Sequence, residues 1–533
     1  MPDISDLPKN ILAQILYYVA ASPITILYEW KYKLPLLAVC RKWTKLAINI
    51  VFNQVYVELA ISPGSLLSAY PFWTSNAELL ISRGYVLAAR RLTIEFPDKI
   101  TPECLQRIAL EILKLDCVDW QHINALTITG PATAFKYHYI GALAVDDQIS
   151  ADIKRTMQYF GRNLRNIVEL NLDYNNIASI GEYICSCFTS AYGGQLQIHR
   201  ASMSISCSLV NFSRNIKVLE LALDSSAARV LPSICGETLK VLKLDRVPLN
   251  FAWHHFRYDI FTRPIVFSQL TILDITFEYK NPPLTEVTIQ EKIASGALNC
   301  DQLCFPALRK LSIENCTPDC DLLYADFPFR RLEKVYLFGN IDNIRHCSRL
   351  KLTWVRDLSV EIHAPEPDQT AEVYRATNKL FSDICIGRTA SLLFNIEIDP
   401  ELIRWVNLTK LEVVTVDYAT ICKLIARLPN LAELIVHYLK FSTTLYKGFA
   451  FDESLYCSAD PLTAWGEKLA TLKLFEFNND CSLEVKLDGV QALIRRTSAL
   501  SQLFVPQAME PYLAEFIDAH KDRYAHLANI EIF

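Results

Sequence analysis

Residues 164–177, LRNIVELNLDYNNI, constrain the fold of this chain more than any other stretch. Apolar side chains stand at Leu164, Ile167, Leu170 and Leu172, followed by Asn175 and Ile177. Leu170 and Leu172 are two apart, so on a short strand they share one face while Asn171 and Asp173 share the other. Asn175 can bond loop backbone as the chain turns away, and Ile177 re-enters the core. One such unit leaves an apolar face that it cannot cover alone. It must stack on copies of itself.

Copies follow. Phe52-x-x-Val55-x-Val57, Leu92/Ile94 and Leu126/Ile128 precede the stretch. After it come Leu219/Leu221, Leu242/Leu244, Leu273/Ile275, Leu311/Ile313, Val335/Leu337, Leu358/Val360, Ile396/Ile398, Leu411/Val413, Leu434/Val436, Leu472/Leu474, Leu503/Val505 and Ile530/Ile532. The intervals run from roughly 15 to 50 residues, several of them about 23–31, the usual length of a leucine-rich repeat. Helical patterns fill wide gaps at 102–115, 149–164, 371–384 and 489–497. Strand then helix, repeated, predicts an α/β chain of parallel strands joined by right-handed crossovers. Too many motifs at uneven spacing argue against a closed barrel. The expectation is a leucine-rich-repeat solenoid over 53–533, strands on the concave side and helices outside, with insertions at 251–267, 280–304, 363–369 and 441–461.

The first 52 residues read differently. Asp6 can cap a helix with Pro8 in its first turn, and Ile11, Leu12, Ile15, Leu16 and Val19 recur at helical spacing. A second stripe runs through Leu36, Leu37, Cys40, Trp43, Leu46, Ala47 and Ile50. Residues 11–28 carry no charge, but Pro23 interrupts them and Asp3 and Asp6 precede them, so neither a membrane span nor a signal peptide is expected. Leu7–Pro8, the apolar helix and the Val39–Cys40–x–x–Trp43 segment resemble the F-box, the short three-helix module that docks on the Skp-type adaptor of cullin–RING ubiquitin ligases. The resemblance implies adaptor contacts at Leu7, Pro8, Ile11, Ile15, Leu36, Val39, Cys40 and Trp43, with the repeats holding a protein substrate for ubiquitin transfer. The other readings are a leucine-rich scaffold without ligase attachment, whose N-terminal helices cap the array, and a metal or thiol enzyme.

That last reading has little to stand on. Cys300-x3-Cys304 with Cys316-x3-Cys320 is the one metal-like arrangement, and Cys316 falls where a leucine-rich repeat places Asn or Cys. No phosphate loop, nucleophile elbow or H-E-x-x-H occurs. His254–His255 and the pairs Asp116/Asp119 and Asp319/Asp321 read as loop and turn residues. Neither enzymatic activity nor a cofactor is expected. Sixteen dispersed cysteines fit a reducing cytoplasm or nucleus, and a net charge of −5 gives no basic field for nucleic acid.

The outward strand positions are acidic on balance: Asp173, Glu220, Asp245, Asp274, Glu314, Glu361, Glu397, Asp399 and Glu412 against Lys243 and Lys473. Solubility alone would account for polar residues there. As a binding surface it would suit a partner with a basic face, anchored on Tyr336 and Phe338 with Glu314 and Glu361 beside them.

Overall fold

The computed structural model describes residues 8–20, 41–51, 54–60, 72–75, 77–95, 120–129, 162–173, 191–204, 215–222, 237–247, 265–277, 303–316, 332–340, 354–362, 385–395, 405–441, 467–478, 482–522 and 530–532, with isolated residues at 151, 347, 350, 375, 379 and 382. The chain divides into two compact units, Met1–Asp245 with His254–Tyr258, and Arg246–Trp253 with Asp259–Phe533.

The first unit holds strands β1 (Gln54–Ala60), β2 (Phe72–Ser75), β3 (Arg91–Glu95), β4 (Ala125–Thr129), β5 (Glu169–Asp173), β6 (Ile198–Ser204) and β7 (Val218–Ala222), and β8 (Val241–Val247) starts within it. Their spatial order is β2-β1-β3-β4-β5-β6-β7-β8, parallel throughout except for the β1–β2 pair. The registers stack Leu92, Leu126, Leu170, His199, Leu219 and Leu242 in one inward row. Ile94, Ile128, Leu172, Ala201, Leu221 and Leu244 form the next. A third row precedes the strands, through Ile123, Ile167, Leu196, Ile216 and Leu239. No member of the three rows is more than 5% exposed. Each apolar side chain contributes roughly 1.5–3 kcal/mol on burial, and nearly all of that depends on a neighbouring repeat.

Backbone groups tie the repeats together just before each strand. The Asn124 carbonyl accepts from both Val168 N (2.8 Å) and Glu169 N (3.0 Å), and Lys217 O accepts from Lys240 and Val241 in the same way. Side chains add rungs: Asn166 Nδ2 donates to Gln121 O at 2.8 Å, and Gln195 Nε2 to Ile167 O at 2.8 Å.

The second unit repeats the scheme. A small parallel pair, β9 (Ile265–Val266) with β11 (Leu303–Cys304), accompanies the main ladder. That ladder runs β10 (Ile272–Phe277), β12 (Lys310–Glu314), β13 (Lys334–Gly339), β14 (Trp354–Ile362), β15 (Cys385–Asn395), β16 (Lys410–Asp417), β17 (Glu433–Lys440), β18 (Thr471–Phe477), β19 (Gln502–Phe504) and β20 (Glu531–Ile532), each parallel to the next. From β10 to β18 the core pairs are those the spacing picks out, with one correction; at the end of the ladder Leu503 is buried, but Val505 follows β19 half-buried and Ile530 and Ile532 are only half-buried. In β15 the inward pair is Ala390 and Leu392, in register with Leu411 and Val413. Ile396 and Ile398 lie outside the described residues. Sequence reading slipped here because residues 385–395 offer only one leucine at a core position.

Helices α1 (Lys9–Ala20) and α2 (Arg41–Val51) pack together in the first unit, where α3 (Ala77–Ser82) follows. In the second unit α4 (Tyr418–Arg427), α5 (Leu483–Arg496) and α6 (Glu510–His520) lie between strands. Asp417 caps α4 through Thr420 N at 2.8 Å, and Ser482 caps α5 through Val485 N. The helical pattern over 489–497 is the C-terminal part of α5; residues 102–115 lie outside the described set. No helix among the described residues is long and apolar enough to cross a membrane.

Candidate functional site

Strand alternation leaves one face of each ladder polar, and the two units treat that face differently. In the first unit it is a chain of compensated charges. Arg200 sits between Glu169 (2.8 Å) and Glu220 (3.4 Å), and Lys243 reaches Glu220 at 3.1 Å. Asn171 completes the chain, accepting from Arg200 at 3.2 Å and donating to Glu169 at 3.3 Å. The acidic excess expected here therefore does not hold in the first unit. Arg200 is the reason. It lies on β6, a strand whose inward pair is His199 and Ala201, so a search for paired leucines passes over it.

In the second unit the face opens with an acidic cluster, beyond which charges are paired. Register places Asp274, Ser312, Tyr336 and Ser359 side by side on β10, β12, β13 and β14, with Thr276, Glu314, Phe338 and Glu361 in the row beyond. The Tyr336 hydroxyl donates to Glu361 Oε2 at 2.7 Å, and Thr276 Oγ1 donates to Glu314 Oε2 at 3.0 Å. Tyr336 and Phe338 lie near parallel, 8° apart with ring centres separated by 6.3 Å. Burial raises the Tyr336 phenol well above its usual range; the bond to Glu361 and the charges on Glu361, Glu314 and Asp274 push the same way. Among the described residues no Lys, Arg or His lies within ion-pairing distance of Asp274, Glu314 or Glu361.

Further along, compensation returns. Glu433 lies between Lys410 (3.1 Å) and Lys473 (3.0 Å). Burial alone would raise its carboxyl, but hydrogen bonds and charge from the two lysines hold it below the usual carboxylate range. Glu412 Oε1 meets His437 Nε2 at 2.9 Å. The His437 ring stacks on Phe475 at 5.3 Å, and the Lys473 ammonium lies 5.1 Å from the centre of the Phe504 ring. Phe475 is 48% exposed. Following the alternation Leu472, Leu474 one step further along β18 would have pointed to it.

Tyr336, Phe338, Glu314 and Glu361 are thus brought together on three adjacent strands. The side chain of Asp173 and all of Glu397 and Asp399 lie outside what is described. So do Leu7, Leu36, Val39 and Cys40 of the N-terminal set. Pro8 is exposed, and its carbonyl accepts from Leu12 N at 3.0 Å. Leu12 and Ala47 are buried, whereas Ile11 on the adjoining face of α1 is 40% exposed and Ile15 is half-buried. Trp43 is half-buried, with its Nε1 enclosed and lacking a hydrogen-bond partner. Cys316 is buried and Cys304 half-buried, while Cys300 and Cys320 lie outside the described residues. Among the described residues no three His, Cys, Asp or Glu side chains gather as metal ligands would.

No protein-family model matches this chain, and a search of curated proteins returns no match to it.

Proposed function

We propose that this chain is a substrate receptor of a cullin–RING (SCF-type) ubiquitin ligase, tethered by its N-terminal helices to a Skp-type adaptor and holding a protein substrate on its repeats. The observation that carries the binding half is the polar face of the second ladder, where stacked aromatics stand among carboxylates with no cation beside them among the described residues. Such a face offers contact area and charge complementarity to a protein with a basic surface. The tethering half is supported by the resemblance at Leu7–Pro8 and Val39–Trp43 and by α1, which buries Leu12 while leaving Ile11 open. Function is then positioning. The receptor raises the local concentration of target lysines near a conjugating enzyme that supplies the chemistry.

The test is co-purification of the full chain with the adaptor. Wild type is expected to bind, and Ile11→Asp and Leu7→Ala to lose binding while melting at the wild-type temperature. A wild-type chain that does not bind the adaptor is a leucine-rich-repeat interaction scaffold without ligase attachment, its N-terminal helices a cap on the array.

A further inference from the structure

On the polar faces of both ladders, carboxylates as a rule sit beside a cation: Glu169 and Glu220 with Arg200, Glu433 with two lysines, Glu412 with His437. Among the described residues, Asp274, Glu314 and Glu361 depart from that rule together, on β10, β12 and β14, around the ring that β13 contributes. Two of them are already oriented. Glu361 accepts from the Tyr336 hydroxyl and Glu314 from Thr276, each through Oε2. Their second oxygens and both Asp274 oxygens remain available to accept. A planar cation suits this arrangement better than a compact one. A guanidinium can lie on an aromatic face and direct paired N–H groups into flanking carboxylates, whereas an ammonium acts as a point charge.

The same face offers a second contact at a fixed distance. From β13 to β18 is five steps along the ladder, about 24 Å at the usual strand separation of ~4.8 Å. There Phe475 exposes half its ring, backed by His437. Between the two contacts the register runs through Ser359 and Ser391, small enough to let an extended backbone approach the sheet, and then Glu412 and Ile435. An extended chain covers about 24 Å in about seven residues.

We propose that this face seats an extended, arginine-bearing protein segment laid across the strands, its guanidinium at Tyr336 and Phe338 among Asp274, Glu314 and Glu361, and an apolar side chain about seven residues away against Phe475. The proposal deepens the reading of the second ladder as the recognition surface and does not depend on the adaptor.

The test uses the full chain and fluorescein-labelled Ser/Ala peptides carrying one arginine and one leucine, read by fluorescence polarisation. Saturable binding is expected, tightest at a spacing of about seven residues and weaker when the spacing is about three residues shorter or longer. Glu314→Gln/Glu361→Gln is expected to weaken it by about tenfold or more, Phe475→Ser by severalfold, and lysine in place of arginine severalfold. Thermal melting of the variants should match wild type, because these side chains lie outside the core. No saturable binding, equal binding by the charge-neutral variant, or indifference to spacing would overturn the proposal. So would a concentration-dependent dimer abolished by Glu314→Gln/Glu361→Gln, which would assign the face to a second copy of the chain. Peptide binding without adaptor binding removes only the ligase attachment; adaptor binding without peptide binding removes only the seat.

Discussion

Trp354 on β14 lies against Gly387 on β15, while Val355 and Ile386, paired in register beside them and fully buried, fill the place that the first leucine of the repeat fills elsewhere. The equivalent positions, three residues before the first inward strand residue, are Leu270, Leu308, Leu332, Leu408, Leu431 and Leu469, all buried. A Cβ at 387 would meet Trp354 Cζ2, with Cε2 at 3.0 Å and Cη2 at 3.3 Å. Gly387→Ala is therefore expected to destabilise by about 1–3 kcal/mol, toward the lower end because Trp354 is half-exposed and can swing outward. Trp354→Ala/Gly387→Ala, which removes the indole that the new Cβ would meet, should recover part of the loss. Urea unfolding midpoints of wild type and the two variants check this.

Gly489 is the harder case. A Cβ there would run into the Phe441 ring, whose Cζ would lie at 2.9 Å, and come within 3.2 Å of Tyr418 Cε2. Neither ring has room to move. Phe441 stacks on Tyr418 at 5.1 Å and on Phe477 at 6.0 Å, and the Tyr418 hydroxyl donates to Gly489 O at 2.8 Å. Gly489→Ala should cost more than Gly387→Ala, about 3 kcal/mol, despite the better helix propensity of alanine in α5. A thermal melt showing equal or smaller loss than at 387 would contradict this packing.

The repeat ladder was legible because it depends on spacing. Two apolar residues two apart, preceded by another three residues earlier, define an inward face whatever happens between repeats. Legibility failed where the core residue was not a leucine. His199 and Ala201 hid β6, and with it Arg200, so the first unit's face was read as acidic when its charges are balanced. The cluster of Tyr336, Phe338, Glu314 and Glu361 was readable from alternation alone. That no cation stands beside it among the described residues was not, because that depends on which side chains the register sets side by side. Phe267, the last residue of the expected 251–267 insertion, is likewise a core residue, fully buried and stacked at 5.2 Å on Phe305 beside the β9–β11 pair.

Arg200 joins two carboxylates that would otherwise face each other across β6. Its side chain is 38% exposed, so solvent screens much of the Coulomb gain. Arg200→Met is expected to cost about 1 kcal/mol at low salt, and raising the salt should shrink the difference. Denaturant midpoints at low and high ionic strength distinguish this from a packing loss, which salt would not change.

Asn478 closes the edge of a turn with both ends of its amide. Its Oδ1 accepts from Phe441 N and its Nδ2 donates to Phe441 O, each at 2.9 Å, at a site only 6% exposed. Asn478→Leu keeps the volume but leaves two buried backbone groups without these partners, at a cost of about 2–4 kcal/mol. Asn478→Asp retains the acceptor and loses the donor, so it should fall between. Faster amide hydrogen exchange at Phe441 in both variants would place the loss at this pair.

His199 stands in a row of leucines, fully buried in the first unit. Burial pushes its imidazole down to about 4 from an ordinary 6.5, with a backbone hydrogen bond to Leu170 opposing part of the shift. The ring is therefore neutral in the folded chain at pH 7. In the unfolded chain it takes up a proton below about pH 6.5, so between 6.5 and 4 the unfolded state binds more protons than the folded one. Stability should be full above pH 6.5 and fall as the pH drops toward 4, by about 3 kcal/mol in all from this group. Below 4 both states are protonated and the fall from this source ends. His199→Leu removes the titrating group and completes the leucine row, so it should stabilise the first unit and flatten this part of the pH profile. Melting temperatures of wild type and variant across that range decide it: parallel profiles would mean that the histidine is not buried in the row.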